Sequence, residues 1–281
     1  MEIEKLKQHV EKVDKISNDS WLKSLNERKL KELEFHNRDR QEESVNASAD
    51  TFEKFYANRK YYHTVERSRS YVDNWLKQNV EGKVVLDYAC GNGDVAVKTA
   101  KYGAKFSLGF DISDVSVQNA RNIAKNMGLE SKVKFFQADA EDTKLPDNSI
   151  DIIICSGMLH HLDLSYTFPE LRRILKPGGK VFAIEALDYN PAIKLYRKLT
   201  PNMRTEWEKA HILKLSDLTF ANRFFEVDEI KYWHVIGYAG ALIKPLAKFF
   251  DLLDIVLEKI PFINRLSWTF TFVLKKRQND T

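Results

Sequence analysis

The residues best suited to chemistry follow a short apolar stretch near the first third of the chain. Val84 to Leu86 read as a β-strand that runs into Asp87 and then into a loop carrying Gly91 and Gly93. Glycine lets the backbone pass close to a ligand, and the helix predicted next, at about 95–101, presents unpaired N–H groups at its start. A strand that ends in this way is typical of a site for a nucleotide-like cofactor.

Two cofactors fit this loop to different degrees. Residues 91–96, GNGDVA, formally satisfy the dinucleotide fingerprint, and Asp111 lies roughly 20 residues further on, where a ribose-binding acid belongs. In that fingerprint, however, the first glycine follows the strand almost directly, whereas here residues 87–90 intervene and put a carboxylate at the strand end. S-adenosylmethionine carries an ammonium and a sulfonium but no phosphate, so the carboxylate favours it over a pyrophosphate.

Beyond the loop, β and α patterns alternate, which predicts an α/β fold. The helical pattern of 115–127 separates two apolar runs, and a continuous isoleucine run predicts a strand buried on both faces. The sequence KPGG at 176–179 predicts a helix stop and a turn before the fifth strand. The predicted strands lie within 84–94, 107–113, 133–142 (ending near Asp139), 149–161, 171–186, 225–235 and 266–275.

Five short motifs in this region resemble those of one enzyme family. They are LDYACGNGD (86–94), FDIS (110–113), ADAED (138–142), SGMLHHL (156–162) and LKPGGK (175–180). Together they resemble the class I S-adenosylmethionine-dependent methyltransferases, particularly the UbiE and Methyltransf_11 type, over about residues 80–187. The resemblance implies a Rossmann-like, seven-stranded and mostly parallel sheet with helices on both faces. Ala89 departs from the pattern, because the family often has a glycine there.

The resemblance also implies roles for individual residues. Asp87 would neighbour the methionine ammonium, Asp111 would bind both ribose hydroxyls, and Asp139 would face the adenine amino group. The loop would approach the cofactor through its small residues, and apolar neighbours of the acids would sandwich the adenine. The full set of predicted cofactor residues is Asp87, Cys90, Gly91, Gly93, Asp111, Ile112, Asp139, Ala140, Ser156 and Gly157.

Three residues near the strand ends are candidates for catalysis. His160 and His161 follow the fourth strand at its carboxyl end, where ligands of open α/β sheets bind. Glu185 ends the fifth strand and could orient or deprotonate an acceptor hydroxyl. A pocket-wall role for the histidines and an ion-pair role for Glu185 remain the alternatives.

The predicted acceptor pocket draws on two further segments. Aromatic residues near a sulfonium are physically sensible through cation–π attraction, and a charged segment at 189–215 lies beyond the well-matched core. The candidates are Tyr56, Tyr61, Tyr62, His63, Arg204, Trp207 and His211. SGMLHH replaces the NPPY-type tetrad of base-amino methylation, so we expect methyl transfer to oxygen of a small or lipid-like molecule. An NAD(P)-dependent oxidoreductase and a non-catalytic S-adenosylmethionine-binding protein remain the alternatives.

A second unusual segment lies between the last two predicted strands. Residues 238–263 place six large apolar side chains at helical spacing, opposite three acids and two lysines. The charges and Pro245 exclude a membrane span. Such a helix would be a lid, a homodimer surface or a peripheral membrane contact, and the mixture of acids with bases on its polar face favours the first two. The apolar set is Leu246, Phe249, Phe250, Leu253, Leu257 and Ile260.

Length and composition bound the remaining possibilities. The 281 residues suit one core domain with additions, which we divide into an N-terminal helical cap, 1–79, and a methyltransferase-like domain, 80–281, with its core at 80–187 and insertions within 188–265. The net charge of +4 comes from dispersed charges of both signs, which argues against a nucleic-acid partner. Two cysteines without metal-ligand spacing predict a reducing compartment and no metal. The start of the chain lacks a secretory signal pattern, so we expect a cytoplasmic protein.

Overall fold

A seven-stranded sheet forms the centre of the structure, a computed structural model that describes residues 3–16, 18–40 and 66–278. The strand order is β3-β2-β1-β4-β5-β7-β6, with β7 antiparallel to both of its neighbours and the other pairs parallel. The strands are β1 (Val84–Tyr88), β2 (Phe106–Asp111), β3 (Val133–Gln137), β4 (Ile150–Ser156), β5 (Leu175–Ala186), β6 (Glu226–Trp233) and β7 (Thr269–Lys275). This is the Rossmann-like, mostly parallel sheet that the sequence predicts.

Helices connect the strands and cover both faces of the sheet. The longer ones in the core follow β1, β2 and β4, as the alternating pattern predicts. The helices of the described residues are α1 (Ile3–Asp14), α2 (Asn18–Leu22), α3 (Glu27–Arg40), α4 (Glu66–Asn79), α5 (Asp94–Lys101), α6 (Asp114–Asn126), α7 (Leu164–Ile174), α8 (Pro191–Leu199), α9 (Glu206–His211), α10 (Leu215–Ala221) and α11 (Ala247–Leu257). Short 3₁₀ turns lie at Leu159–His161, Pro201–Met203, Gly237–Ala241, Lys244–Leu246 and Asn264–Leu266.

The apolar side chains of the central strands alternate between two cores. Leu86 and Tyr88 belong to the larger cluster on one face of the sheet, whereas Val85 belongs to the cluster on the other face. Trp75 of α4 covers that second face and stacks on Phe182 with ring centroids 4.3 Å apart. Because every residue of β1 is buried, the strand is fixed from both sides, and the polar residues at its end are held in place.

The N-terminal helices pack on the sheet through the faces that their sequence predicts. Leu6 and Val10 of α1 are buried in the larger core, and Ile3 and Val13 lie against it. The following helix, α3, crosses the carboxyl end of the sheet and reaches residues of the loops there through its charged side chains. No helix of the described residues is both long enough and apolar enough to cross a bilayer.

Two strand boundaries differ from the prediction. β3 ends at Gln137, and Asp139 lies in a turn closed by a bridge to Asp142. β5 begins at Leu175 and already contains the predicted turn, because Gly178 has a φ of 73° and its N–H donates to the carbonyl of Lys276. A register shift between Ile150 and Ile152 accommodates this start.

The acids of the predicted polar face of the 238–263 segment are turned toward the protein. Asp254 is fully buried, and Glu258 is mostly buried, whereas Phe249 and Leu253 of the predicted packing face are exposed. Hydrogen bonds from backbone N–H groups to the acids explain this reversed orientation. The helix therefore meets the rest of the protein with its acidic side and exposes much of its apolar side.

Candidate active site

Two buried carboxylates stand at the carboxyl ends of β1 and β2. Asp87 accepts a hydrogen bond from the N–H of Ala96 in the first turn of α5, at 3.0 Å. Asp111 accepts one from Gly91 at 2.8 Å and one from Ser113 at 2.9 Å. Burial raises the pKa of Asp111 and raises the pKa of Asp87 well above its ordinary value, although these hydrogen bonds oppose the shift. A cationic group beside them would recover part of that cost.

The loop between these acids is held in a left-handed conformation. Gly91 has a φ of 52°, and Ala89 shares that value. The left-handed region costs a non-glycine residue about 1–2 kcal/mol, which explains why the resembling family often has a glycine at the position of Ala89. The sulfur of Cys90 lies beside Gly109 of β2, where an added Cβ would come within 3.0 Å of it, and it contacts the carbonyl oxygen of Gly91 at 3.5 Å.

Gly93 has a structural reason of its own. Its φ is 80°, and a Cβ there would lie 2.6 Å from the ring of Phe135 and 2.8 Å from the Cβ of Ala120. The residue therefore lets α5 begin against β3 and α6, and it does not line the cavity beside the loop. Its glycine serves helix packing rather than the approach to a ligand that the sequence predicts.

We expect Gly93→Ala to lower the free energy of unfolding by about 2–4 kcal/mol, because backbone strain adds to overpacking. Gly128→Ala is the matched control, since Gly128 also has a positive φ, 66°, but has no atom within 4 Å of the added Cβ. The control should lose only about 1–2 kcal/mol. Urea unfolding measures both values, and equal losses would contradict the packing argument.

A cavity opens beside the loop. Seven of the ten predicted cofactor residues line it, and Asp87, Cys90 and Gly93 do not. Asp87 lies beneath the loop, where its charge acts through the helix start. The lining members of the predicted set are Gly91, Asp111, Ile112, Asp139, Ala140, Ser156 and Gly157.

Helix α3 forms the opposite wall of this cavity. Lys29 pairs with Asp139 at 2.5 Å and with Glu141 at 2.9 Å, and Arg28 pairs with Glu141 as well. Asp139, predicted to face an adenine amino group, thus has Lys29 on one carboxylate oxygen, while the other accepts the N–H of Glu141. An adenine that binds to the Asp139 carboxylate requires Lys29 to share that carboxylate oxygen or to move away from it.

A histidine–carboxylate pair lies where β4 and β5 end. The Nδ1 of His160 lies 2.8 Å from one carboxylate oxygen of Glu185, whose other oxygen accepts the N–H groups of Met158 and Leu159, both at 2.9 Å. Both carboxylate oxygens of Glu185 are therefore engaged in hydrogen bonds. These bonds fix the ring of His160 and the 3₁₀ turn that carries it. With Nδ1–H donated to Glu185, the Nε2 of His160 carries the lone pair and lies 3.9 Å from Glu208.

The neighbouring histidine has different partners. The Nδ1 of His161 lies 2.9 Å from Glu32 of α3, and its ring lies 4.9 Å from that of His36. Burial lowers the pKa of His161, but the hydrogen bond to Glu32 and the charges of Glu208 and Glu185 outweigh it, so this pKa lies above its ordinary value. Burial and the charge of His161 hold the pKa of His36 well below its ordinary value.

A second cavity is lined by His160 of the same 3₁₀ turn. Its walls are mostly apolar and aromatic, and its polar groups are His160, Arg197, Arg204 and Glu208. His161 lines the first cavity and His160 lines the second, with ring centroids 4.4 Å apart. The apolar and aromatic lining is Ala186, Ala192, Ile193, Tyr196, Ile212, Tyr238, Leu242 and Trp268.

The predicted acceptor residues are placed unequally. Arg204 lines the second cavity. Trp207 and His211 do not, because they stack on each other at 3.7 Å on α9, where Arg28 lies over the Trp207 ring. Tyr56, Tyr61, Tyr62 and His63 lie outside the described residues.

Some histidine and carboxylate groups have the spacing of cation ligands. Among the described residues, three such groups have all their ligand atoms within 4.8 Å of one another. Two of them share His161 and adjoin the cavities, so a cation there would stand between the predicted cofactor and acceptor. The groups are Glu32, His36 and His161; His160, His161 and Glu208; and His234, Asp254 and Glu258.

Sequence reasoning missed most of the α3 wall. Arg28, Lys29 and Glu32 line the first cavity, but in the sequence they belong to a helix so rich in charge that it reads as solvated. The usable signal was Leu25 and Leu33, whose burial requires one side of this region to pack. Glu208 belongs to the charged segment that was expected to form part of the acceptor site, and it lines the second cavity.

Comparison with known proteins supports the predicted resemblance and the fold. Residues 85–179 match the family model described as "Methyltransferase domain". Among solved structures, the geranyl diphosphate C-methyltransferase of Streptomyces coelicolor A3(2) superposes with a TM-score of 0.57 at 13% identity, covering 89% of this chain and 98% of that one. This likeness shows the fold.

Two curated relatives align with the same region. The sterol 24-C-methyltransferase of Aspergillus fumigatus is 31% identical over 134 residues, which are 47% of this chain and 35% of that protein. The ubiquinone/menaquinone biosynthesis C-methyltransferase UbiE of a Marinomonas strain is 36% identical over 107 residues, 37% of this chain and 43% of that protein. The chain thus spans less than half the length of these relatives. Residues 85–179 thus match a methyltransferase domain, and the resemblance of the chain to the class I S-adenosylmethionine-dependent methyltransferases is confirmed.

Proposed function

We propose that this chain transfers the methyl group of S-adenosylmethionine to a hydroxyl of an apolar, lipid-like small molecule. One observation carries the proposal: residues of the same short segment, 156–161, line two cavities. The first contains the acids and the glycine loop that suit an adenosyl donor. The second is apolar and is bordered by a histidine–carboxylate pair.

The lining of the second cavity supports the class of acceptor. Ile193, Ile212 and Trp268 are buried side chains that suit an apolar body of substantial size. The polar groups include Arg204 and Glu208, which pair with each other at 3.5 Å and so present little net charge. An acceptor with one hydroxyl and a long apolar remainder fits a cavity that is mostly apolar and has few polar groups.

The residues of the first cavity fit S-adenosylmethionine. When bound, it would supply an electrophilic methyl group that the acceptor attacks directly, with S-adenosylhomocysteine as the leaving group. Asp111 would hold the ribose hydroxyls, while the buried charge of Asp87 would offset the positive charge of the donor. Helix α3 closes the cavity and excludes water, which is the main contribution of the protein to such a displacement.

Proton removal would fall to His160. An acceptor hydroxyl must lose its proton as its oxygen attacks, and the Nε2 of His160 faces the acceptor cavity with Nδ1 held by Glu185. Glu185 keeps the ring in the tautomer that accepts at Nε2 and stabilises the imidazolium that forms. His160 is thus the proposed base, and Glu185 is its positioning residue.

Methylation at carbon is the second candidate. Tyr196, Tyr238 and Trp268 line the same cavity, and aromatic faces stabilise a carbocation such as the one formed when an alkene is methylated. Both curated relatives described above are C-methyltransferases by name. His160 would then remove a proton from carbon after the transfer rather than from oxygen during it.

We expect the affinity for S-adenosylmethionine to fall as the pH is lowered, and to begin falling at a higher pH than aspartates with ordinary pKa values would give. The raised pKa values of Asp87 and Asp111 leave part of each carboxyl protonated at low pH, and only the ionised form attracts the cationic donor. Binding should therefore release protons. Calorimetry in two buffers with different ionisation enthalpies measures this release, and a constant dissociation constant with no release would refute the expectation.

The function is tested in two stages. Thermal shift with S-adenosylhomocysteine, and with NAD as the competing cofactor, identifies the ligand of the first cavity. The protein is then incubated with deuteromethyl-labelled S-adenosylmethionine and a lipid extract, and mass spectrometry looks for a labelled product. Nuclear magnetic resonance of the labelled methyl distinguishes a methyl ether from a carbon-bound methyl. Stabilisation by NAD alone, or cofactor binding without any labelled product, would overturn the proposal.

A further inference from the structure

The segment between β6 and β7 exposes an unusual amount of apolar surface. Seventeen large hydrophobic side chains are exposed in the described part of the chain, and eleven of them lie between Leu242 and Leu266. Phe262 is 74% exposed, Leu252 66% and Leu242 64%. Apolar patches of this kind on a folded protein mark an interaction surface.

Helix α11 owes this exposure to the way it is anchored. Asp254 accepts hydrogen bonds from the N–H groups of Ile236 and Gly237, at 2.9 and 2.8 Å. Glu258 accepts the N–H of His234 at 2.8 Å and pairs with Arg67 of α4. The helix is thus attached to the protein through its acids.

The opposite face of α11 is apolar and points outward. Phe249, Leu252 and Val256 follow one another at helical spacing and are each more than half exposed. They lie roughly 180° around the helix from the face that carries Asp254 and Glu258. The polar side is therefore turned inward, and the apolar side has no partner among the described residues.

The charges around this surface differ sharply by sign. Every acid between residues 242 and 266 is buried or half-buried: Asp251, Asp254 and Glu258. Every base in the same stretch is exposed: Lys244, Lys248, Lys259 and Arg265. The fully exposed charged side chains of this stretch are consequently all basic, and Asp251 is only partly accessible. The even mixture of acids and bases seen in the sequence is therefore replaced on the surface by an excess of positive charge, which weakens the argument against a membrane contact.

We propose that residues 242–266 bind the surface of an anionic lipid bilayer, with the apolar face of α11 inserted among the acyl chains and the four bases at the headgroups. Apolar insertion combined with Lys and Arg at the headgroup level is the physical basis of interfacial membrane binding. A second copy of the chain is less well matched, because two such surfaces would bring like charges together. The patch adjoins the proposed acceptor cavity, since Leu242 belongs to both; that connection alone rests on the proposed function.

Vesicle flotation of the full chain tests the proposal. We expect the protein to float with phosphatidylcholine vesicles that contain roughly one-third phosphatidylglycerol, and to bind vesicles of pure phosphatidylcholine at least tenfold more weakly. Salt should weaken the binding to the anionic vesicles. The assay needs neither methyl donor nor acceptor, so its failure would leave the proposed methyl transfer intact.

Matched variants locate the contact. Phe249→Glu with Leu252→Glu should reduce binding to the anionic vesicles at least tenfold, because both the apolar insertion and the charge balance are lost. Met127→Glu with Tyr166→Glu makes the same change at two exposed residues elsewhere. This control should weaken binding only as far as two added negative charges do by themselves. Circular dichroism checks that both variants fold. Equal loss in both variants would overturn the proposal.

The oligomeric state of the protein in solution distinguishes a membrane contact from a dimer surface. Analytical ultracentrifugation without vesicles is expected to find a monomer. A dimer that Phe249→Glu with Leu252→Glu separates, together with absent flotation, would assign the surface to a second copy and overturn the membrane assignment. A monomer that does not float with the anionic vesicles would overturn it as well.

Discussion

Asp111→Ala is expected to weaken the binding of S-adenosylhomocysteine by about 100-fold or more. The carboxylate orders the loop through Gly91 and the start of α6 through Ser113, and by our proposal it accepts both ribose hydroxyls. Hydrogen bonds to a charged group contribute about 1.5–3 kcal/mol each, so two lost ligand contacts correspond to roughly 10²–10⁴ in affinity. Isothermal titration measures the change.

Two further variants separate recognition from folding. Asp114→Ala removes an exposed acid three residues away, at the start of α6, and should leave the affinity within about threefold. Asp111→Asn keeps the shape and one acceptor oxygen, and should lie between the wild type and Asp111→Ala. A folded Asp111→Ala protein that binds like the wild type would exclude Asp111 from the cofactor site, whatever the thermal stability of the variants.

The sheet was predictable because its strands are apolar on both faces. Val84 to Asp87 and the isoleucine run of β4 can only be buried strands, and the intervening helices follow the 3.6-residue period. The ends of elements were less predictable. Asp139 lies two residues beyond Gln137, the last residue of β3, because a local bridge to Asp142 replaces the sheet pairing there. No periodicity in the sequence encodes such a bridge.

The residues that line the cavities were likewise predictable only where they belong to a local pattern. Asp111 and Gly91 follow directly from a strand end and a loop, and the structure places both at the first cavity. Lys29 and Glu32 reach it from a helix, through contacts with Asp139 and His161 that lie 110 and 129 residues away in sequence and that only the tertiary arrangement creates. A sequence pattern reports local geometry, so the α3 wall was beyond its reach.

The orientation of α11 illustrates a third kind of difference. The periodicity of 238–263 correctly predicts a helix with apolar and polar sides, but it carries no information about which side meets the protein. The usual preference is for the apolar side to be buried. Here the N–H groups that precede the helix, at His234, Ile236 and Gly237, need acceptors, and the acids of α11 supply them.

His160→Ala is expected to lower kcat by about 10²–10³, the usual contribution of a positioned general base. The dissociation constant of S-adenosylhomocysteine should stay within about threefold of the wild type, because His160 lines the acceptor cavity and not the first one. The measurement is single-turnover formation of the labelled product at saturating acceptor. His211→Ala is the matched control, since His211 is exposed and stacks on Trp207 outside both cavities.

Glu185→Gln tests the positioning role that we assign to the carboxylate. Glutamine keeps one oxygen for the N–H groups of Met158 and Leu159 but can turn an amide N–H toward His160, which favours the tautomer with the proton at Nε2. We therefore expect a loss in kcat at neutral pH that approaches that of His160→Ala, with little change in thermal stability. The two losses should not add in the double variant, because both act on one proton transfer. Additive losses, or full activity in His160→Ala, would leave the pair as a packing element and direct the search for the base to Glu208, which lies 3.9 Å from the Nε2 of His160.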